Sequence, residues 1–188
     1  GANSGIGRST ALLLASNGYK VFATMRSLSR GEKLRSLAAE LQLDITEVEL
    51  DVADDDSVRE EFTEILGQCE RVDVLINNAG IMAPPKTFSK QGLEIQFAVN
   101  HLAHMFLTLK LLPMLEEKNN SRVVTVTSGV QYFGKIQWDD LQGKLKYDRW
   151  ASYAQSKLAN VMFGLELNSM LIKDKSNTSS LLAHPGFA

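Results

Sequence analysis

Apolar positions in this chain switch repeatedly between a helical period and a strand-like one. Residues 8–17 (RSTALLLASN) read as a helix stopped by Gly18, and 19–24 (YKVFAT) as a short strand. Residues 30–42 repeat Leu34, Leu37, Ala38 and Leu41 at helical spacing, and 45–50 alternate like a strand. A helix over 54–69 puts Val58, Phe62, Ile65 and Leu66 on one face. The run VDVLI at 72–76, with turn residues after it, predicts a parallel strand buried on both faces. A long helical pattern covers 90–115 and ends near Pro113 or soon after. A strand follows at 122–127 (RVVTVT), then an irregular stretch over 129–149 that holds Trp138, Asp139, Asp140 and Gly143. The last elements are a helix over 150–172 and a strand over 178–183. This alternation predicts right-handed crossovers and an α/β fold with a doubly wound, mostly parallel sheet.

Bulk properties narrow the function classes. The 188 residues suit one domain spanning 1–188, and 44% hydrophobic content can supply its core. A net charge of −2 gives no broad basic field, so nucleic acid is not an expected partner. The single cysteine, Cys69, has no partner for an internal disulfide and reads as a packing residue. That fits a reducing compartment, and a cytoplasmic location is the expectation, with anchoring by an upstream segment left open. No run reaches the ~20 apolar residues of a membrane span. The chain opens on Gly1 inside a glycine motif and stops at Ala188, so it reads as a fragment.

Five features carry chemistry. Gly1-Ala2-Asn3-Ser4-Gly5-Ile6-Gly7 leads straight into a helix. Glycines allow a tight turn and close approach to a pyrophosphate, and a helix N-terminus offers unpaired N–H groups. Arg26 ends the next strand, where an acid would bind the ribose 2′-OH of NAD; a guanidinium there suits a 2′-phosphate instead. Asp51, in Leu50-Asp51-Val52, is placed either to accept from an adenine amino group or to cap the helix near Asp54. Asn77-Asn78-Ala79-Gly80 follows a strand, at the sheet edge where open α/β folds bind ligands. Tyr153 and Lys157 lie four apart on one helix, so a phenol and an ammonium share a face. A free tyrosine has a pKa of about 10, and a nearby cation favours the phenolate. Ser128 closes the preceding strand, placed to hydrogen-bond a substrate oxygen, while Asn100 reads as a satisfied core amide. No metal site is expected.

In this order, GANSGIG, LDV, NNAG, Asn100 in VNHLAH, Ser128 in VVTVTS, YAQSK and His184-Pro185-Gly186 resemble the short-chain dehydrogenase/reductase family over essentially the whole chain. The spacing Gly-x-x-x-Gly-x-Gly matches its compact branch, and VNHLAH, WDDLQ and YAQSKLANVMF are most similar to its retinol-dehydrogenase-like members. The resemblance implies a Rossmann-type fold and an oxidoreductase that moves a hydride between NADP(H) and an alcohol or carbonyl, in many such members a lipophilic one. NADP(H) is favoured, with NAD(H) as the alternative.

It also implies a tetrad. Tyr153 is the acid/base, Lys157 assists it and binds the nicotinamide ribose, Ser128 orients the reacting oxygen, and Asn100 holds a water behind Lys157. Asn78, Ala79 and Gly80 line the adenosine and ribose side, and Pro185 and Gly186 approach the nicotinamide. Gly1, Asn3, Ser4, Gly5, Ile6, Gly7, Arg26, Asp51 and Val52 complete the expected cofactor contacts. Against the family pattern, a first strand ending in threonine and the segments after Gly186 are absent. The chain alone is therefore expected to be unstable and inactive, with the strands at 19–24 and 72–76 exposing an unpaired edge. The competing readings are a non-enzymatic dinucleotide-binding regulator on the same fold and an epimerase or dehydratase of the extended branch. Retention of Tyr153 and Lys157 disfavours the first, and the glycine spacing disfavours the second. Homo-oligomerisation is compatible with either an enzyme or a regulator.

Overall fold

The computed structural model describes residues 1–117 and 120–186; the side chains of Asp55 and Phe62 also lie outside the description, so the expected burial of Phe62 does too. The chain forms two compact units, 1–68 and 69–188. Both are α/β and every strand pairing is parallel.

The first unit opens with helix α1 (Gly5–Ser16). It ends where expected: Gly18 adopts φ +82°, and the Tyr19 N–H turns back to the Leu14 carbonyl at 3.2 Å. The Tyr19 N–H is used in that closure, and strand β1 is Val21–Met25 rather than 19–24. A 3-10 turn over Leu28–Gly31 leads into α2 (Glu32–Glu40), and β2 (Ile45–Glu49) pairs with β1 in the register Val21↔Ile45 to Met25↔Glu49. α3 (Asp55–Gln68) completes the unit. The core gathers Ala11 of α1, Val21, Ala23 and Met25 of β1, and Leu34 of α2. Alternate β1 side chains are fully buried and the rest partly so, as a strand covered on both faces requires.

In the second unit, β3 (Val74–Asn77), β4 (Arg122–Val126) and β5 (Ser179–Ala183) form a sheet in the order β3-β4-β5. The pattern over 90–115 is helical only from Ile95. Gly92 turns at φ +78° and its N–H donates to the Ser89 carbonyl at 2.9 Å, so 89–93 form a turn that the antiparallel Phe88–Glu94 bridge closes. From there α4 (Ile95–Phe97), a π turn (Ala98–Leu102) and α5 (Ala103–Glu116) run continuously, with Pro113 inside the last. Pro113 is exposed, so its missing N–H does not break a buried ladder. α6 (Arg149–Lys173) starts at Asp148, whose carboxylate accepts from the Trp150 and Ala151 N–H groups.

The expected parallel α/β architecture is present, with its strands in a two-stranded and a three-stranded sheet. β1 and β3 each keep an edge to which no described strand pairs. Ala2 reaches the β1 edge, its N–H donating to the Thr24 carbonyl at 2.8 Å.

Candidate active site

Within the first unit, the glycine motif forms the turn into α1. Gly5 sits at φ +52° with open space where a Cβ would point, so backbone freedom is what makes glycine fit there. The first turn of α1 has no acidic residue and no side-chain cap from Ser4, so its N–H groups keep their capacity for an anion. Gly7 is buried, while Ser4 and Ile6 are exposed. Arg26 is exposed just past β1. Glu49, level with Met25 across the β pair, spends one carboxylate oxygen on the Leu28 N–H at 3.0 Å. Asp51 Oδ1 accepts from the Ala53 N–H at 3.0 Å, closing a local turn, and Asp54 Oδ1 accepts from the Asp56 N–H at 3.2 Å at the helix start. Val52 lies half-buried beside it.

The second unit assembles most of the expected catalytic residues. Asn77 at the end of β3 is buried, and its amide donates to Thr108 Oγ1 at 2.9 Å and Thr125 Oγ1 at 3.3 Å. Asn78 and Ala79 are half-buried and Gly80 is exposed. A Cβ on Gly80 would lie 3.3 Å from Asn100 Oδ1 and 3.6 Å from Lys157 Nζ, so this backbone passes close beside both side chains. Asn100, on the π turn, is fully buried. Its Oδ1 accepts from Ile81 N–H at 2.8 Å, and its Nδ2 donates to the Ile81 carbonyl at 2.9 Å and Ser156 Oγ at 3.0 Å. Both amide donors are thereby used, in keeping with the core-amide reading. π turns recur at functional sites.

Lys157 is buried; its Nζ donates to the Val126 carbonyl at 3.2 Å and lies 5.8 Å from the Tyr153 ring centroid. The four-residue spacing read from the sequence thus brings phenol and ammonium together. Burial lowers the Lys157 pKa from 10.5 to about 8. The native lysine releases its proton near pH 8 while the unfolded chain holds it to 10.5. The penalty for burying the charge is therefore complete below about pH 8 and disappears as pH rises to 10.5, so stability climbs across that window. K157M should lose this climb: the unfolding free energy of the parent should gain on that of K157M between those pH values. Parallel curves for the two would rule the burial penalty out.

Ser128 is half-buried and extended immediately beyond β4, and its hydroxyl is not spent on capping the 3-10 turn Gly129–Phe133. Thr127 N–H donates to the Ala183 carbonyl at 2.9 Å, which sets the end of β5 beside it. His184 then packs on Gly129, where a Cβ would meet its Nε2 at 2.9 Å. The His184 Nδ1 accepts the Gly186 N–H at 2.7 Å, tightening a turn in which Gly186 has φ +77°. Pro185 and Gly186 are exposed there.

The stretch called irregular from sequence is held at defined points. Asp140 accepts from the N–H groups of Lys144, Leu145 and Lys146, and these bonds lower its pKa. Gln155 of α6 takes the Gln137 N–H and donates to the Leu141 carbonyl. Buried Gln96 donates to the Arg149 carbonyl and the Tyr147 hydroxyl. Tyr147 is thus tied into the packing, whereas Phe133 (88% exposed), Trp138 (71%) and Trp150 (52%) face outward with Tyr132 and Leu145. Sequence reasoning passed over Ser156, Gln96 and His104. For Gln96 and His104 the signal was weak but present: Gln96, Asn100, His104 and Thr108 are polar at four-residue spacing in a largely apolar helical stretch. Among the described residues no cluster fits a metal ion, and no helix is long and apolar enough to cross a membrane.

The family model for short chain dehydrogenases matches residues 1–181. The chain is 38% identical to retinol dehydrogenase 12 of Homo sapiens over 191 aligned residues, covering 99% of this chain and 59% of that protein. It superposes with a TM-score of 0.88 on the crystal structure of an uncharacterized protein from Mycobacterium paratuberculosis, at 41% identity, over 100% of this chain and 66% of that one. A short-chain dehydrogenase/reductase of unknown function from Caenorhabditis elegans, solved with its cofactor, gives a TM-score of 0.78 at 26% identity, over 99% of this chain and 67% of that one.

Proposed function

Because the chain belongs to the short-chain dehydrogenase family, we propose that residues 1–188 are the larger part of a catalytic domain that interconverts an alcohol and a carbonyl with NADP(H). The observation that carries the reading is the buried Lys157 ammonium, fixed by the Val126 carbonyl and set 5.8 Å from the Tyr153 ring centroid, with Gly80 and Asn100 alongside. The residues fit a dinucleotide in several respects. The α1 N-terminus is uncapped at a glycine turn, Asp51 Oδ1 and the local turn leave the rest of that carboxylate for an adenine amino group, and a side chain at 80 would crowd the catalytic groups. In this reading the backbone of Gly1, Asn3, Ser4, Gly5, Ile6 and Gly7 holds the pyrophosphate, and Asp51 and Val52 meet the adenine. Asn78, Ala79 and Gly80 line the adenosine and ribose side, and Pro185 and Gly186 border the nicotinamide. When bound, the nicotinamide gives or takes the hydride.

The protein's own groups handle the proton. Ser128 orients the reacting oxygen, and Tyr153 donates a proton to it in reduction and takes one in oxidation. Lys157 supplies the positive charge beside the phenol and binds the nicotinamide ribose. The Asn100 amide is spent on Ile81 and Ser156, so a relay water would rest on the backbone carbonyl of its π turn. The outward aromatics Phe133, Trp138 and Trp150 favour a lipophilic substrate, in line with the retinol dehydrogenase relatives.

The direct test follows nicotinamide absorbance with the full-length protein across a panel of aldehydes, ketones and alcohols, retinoids included. Turnover of none, with dinucleotide bound, would favour the regulator reading. A 2′-phosphate preference should come mainly from Arg26, since no acid stands at that strand end to accept from a 2′-OH. R26D should shift the preference from NADP(H) toward NAD(H), read as the ratio of kcat/KM values. Equal use of both cofactors by the parent would refute this.

A further inference from the structure

Three buried polar side chains follow one another along the face of the π turn and α5 that serves the end of β3: Asn100, His104 and Thr108. The outer two hold the segment 77–81. Thr108 Oγ1 accepts from Asn77 at 2.9 Å, and Asn100 takes both the N–H and the carbonyl of Ile81. His104 is the middle member of the row, as Ala79 is of the segment, and the Ala79 backbone acts on its ring in the sense that favours the protonated form. The ring is 1% exposed, and neither nitrogen has a hydrogen-bond partner among the described residues. Burial first, then the Lys157 charge, pushes its pKa down to about 3, so the imidazole is neutral and carries one N–H and one bare nitrogen. An imidazole buried in this way lowers stability, whereas an apolar side chain of similar size would fill the space without that cost.

We propose that His104 is a positioning residue for the backbone of residues 78–80: its N–H is directed at the Ala79 carbonyl and fixes the segment that faces the dinucleotide. The effect on cofactor binding rests on the function proposed above; the effect on the segment does not.

The test uses the full-length protein with H104L, which removes both nitrogens, and H104Q, which retains an N–H. Three quantities are measured: amide hydrogen exchange at residues 79–81 without cofactor, NADPH affinity by fluorescence titration, and Tm. H104L should exchange about tenfold faster at 79–81 and bind NADPH about tenfold more weakly, the equivalent of one modest hydrogen bond, with Tm equal to or above the parent. H104Q should stay within about threefold of the parent in both. Unchanged exchange in H104L, or losses that track a lowered Tm equally in both variants, would overturn the proposal. If the parent binds neither NADP(H) nor NAD(H), the dinucleotide reading fails by itself, and exchange at 79–81 still decides what His104 does.

Discussion

Y153F in the full-length protein should lower kcat by about 10²–10⁴-fold, the usual contribution of a general acid/base group. Dinucleotide affinity should stay within a few fold. Only a hydroxyl is removed: the ring that lies 5.8 Å from Lys157 Nζ remains, as does the Tyr153 carbonyl that accepts from Ser156 Oγ at 2.7 Å. Lys157 also keeps its bond to the Val126 carbonyl. The loss should therefore appear in the chemical step, measured as single-turnover rate at saturating cofactor and substrate. Turnover close to that of the parent would remove Tyr153 from the role of proton donor.

A second large effect is expected at a residue outside the motifs. G134V should lower Tm by several degrees, on the order of 5–10 °C, and turnover at least about tenfold with it. Gly134 follows the turn Gly129–Phe133 that leaves Ser128, and its backbone lies against α6. A Cβ there would meet the Ala154 carbonyl oxygen at 2.7 Å and Leu158 Cβ at 3.0 Å. Neither can move away as a flexible side-chain end could, because both belong to the helix that carries Tyr153 and Lys157. The strain must separate the turn from α6, displacing Ser128 relative to the phenol. G67A is the control: Gly67 lies in α3, a Cβ there meets nothing within 4 Å, and its loss should stabilise by about 0.5–1 kcal/mol. Differential scanning fluorimetry of both variants beside a turnover assay separates the outcomes, and a G134V protein with parental Tm and rate would refute the close-packing argument.

The period of the apolar residues located the helices and strands, and misplaced them where a turn consumed residues. Tyr19 looks like strand in sequence but serves the closure of α1, and 90–94 look helical but belong to a turn closed by the Phe88–Glu94 bridge. Nothing local announces such a bridge, because its partner is set by the path of the chain. Asp51 shows the same limit: its residue type suited a helix cap or a ligand, and nothing in the sequence told that its Oδ1 closes a local turn with the Ala53 N–H.

The sequence by itself determined the parallel α/β architecture, the order of the motifs and the pairing of Tyr153 with Lys157, because helix and strand periods and four-residue spacing act between near neighbours. Only the tertiary structure decided that Asn100 clasps Ile81, 19 positions away, and Ser156, 56 positions away. It alone turned Gly134 into a packing requirement and buried the His104 ring with neither nitrogen hydrogen-bonded among the described residues. Those outcomes depend on which surfaces meet when strands and helices pack, and close packing fixes such meetings to a few tenths of an ångström between residues whose separation along the chain carries no record of it.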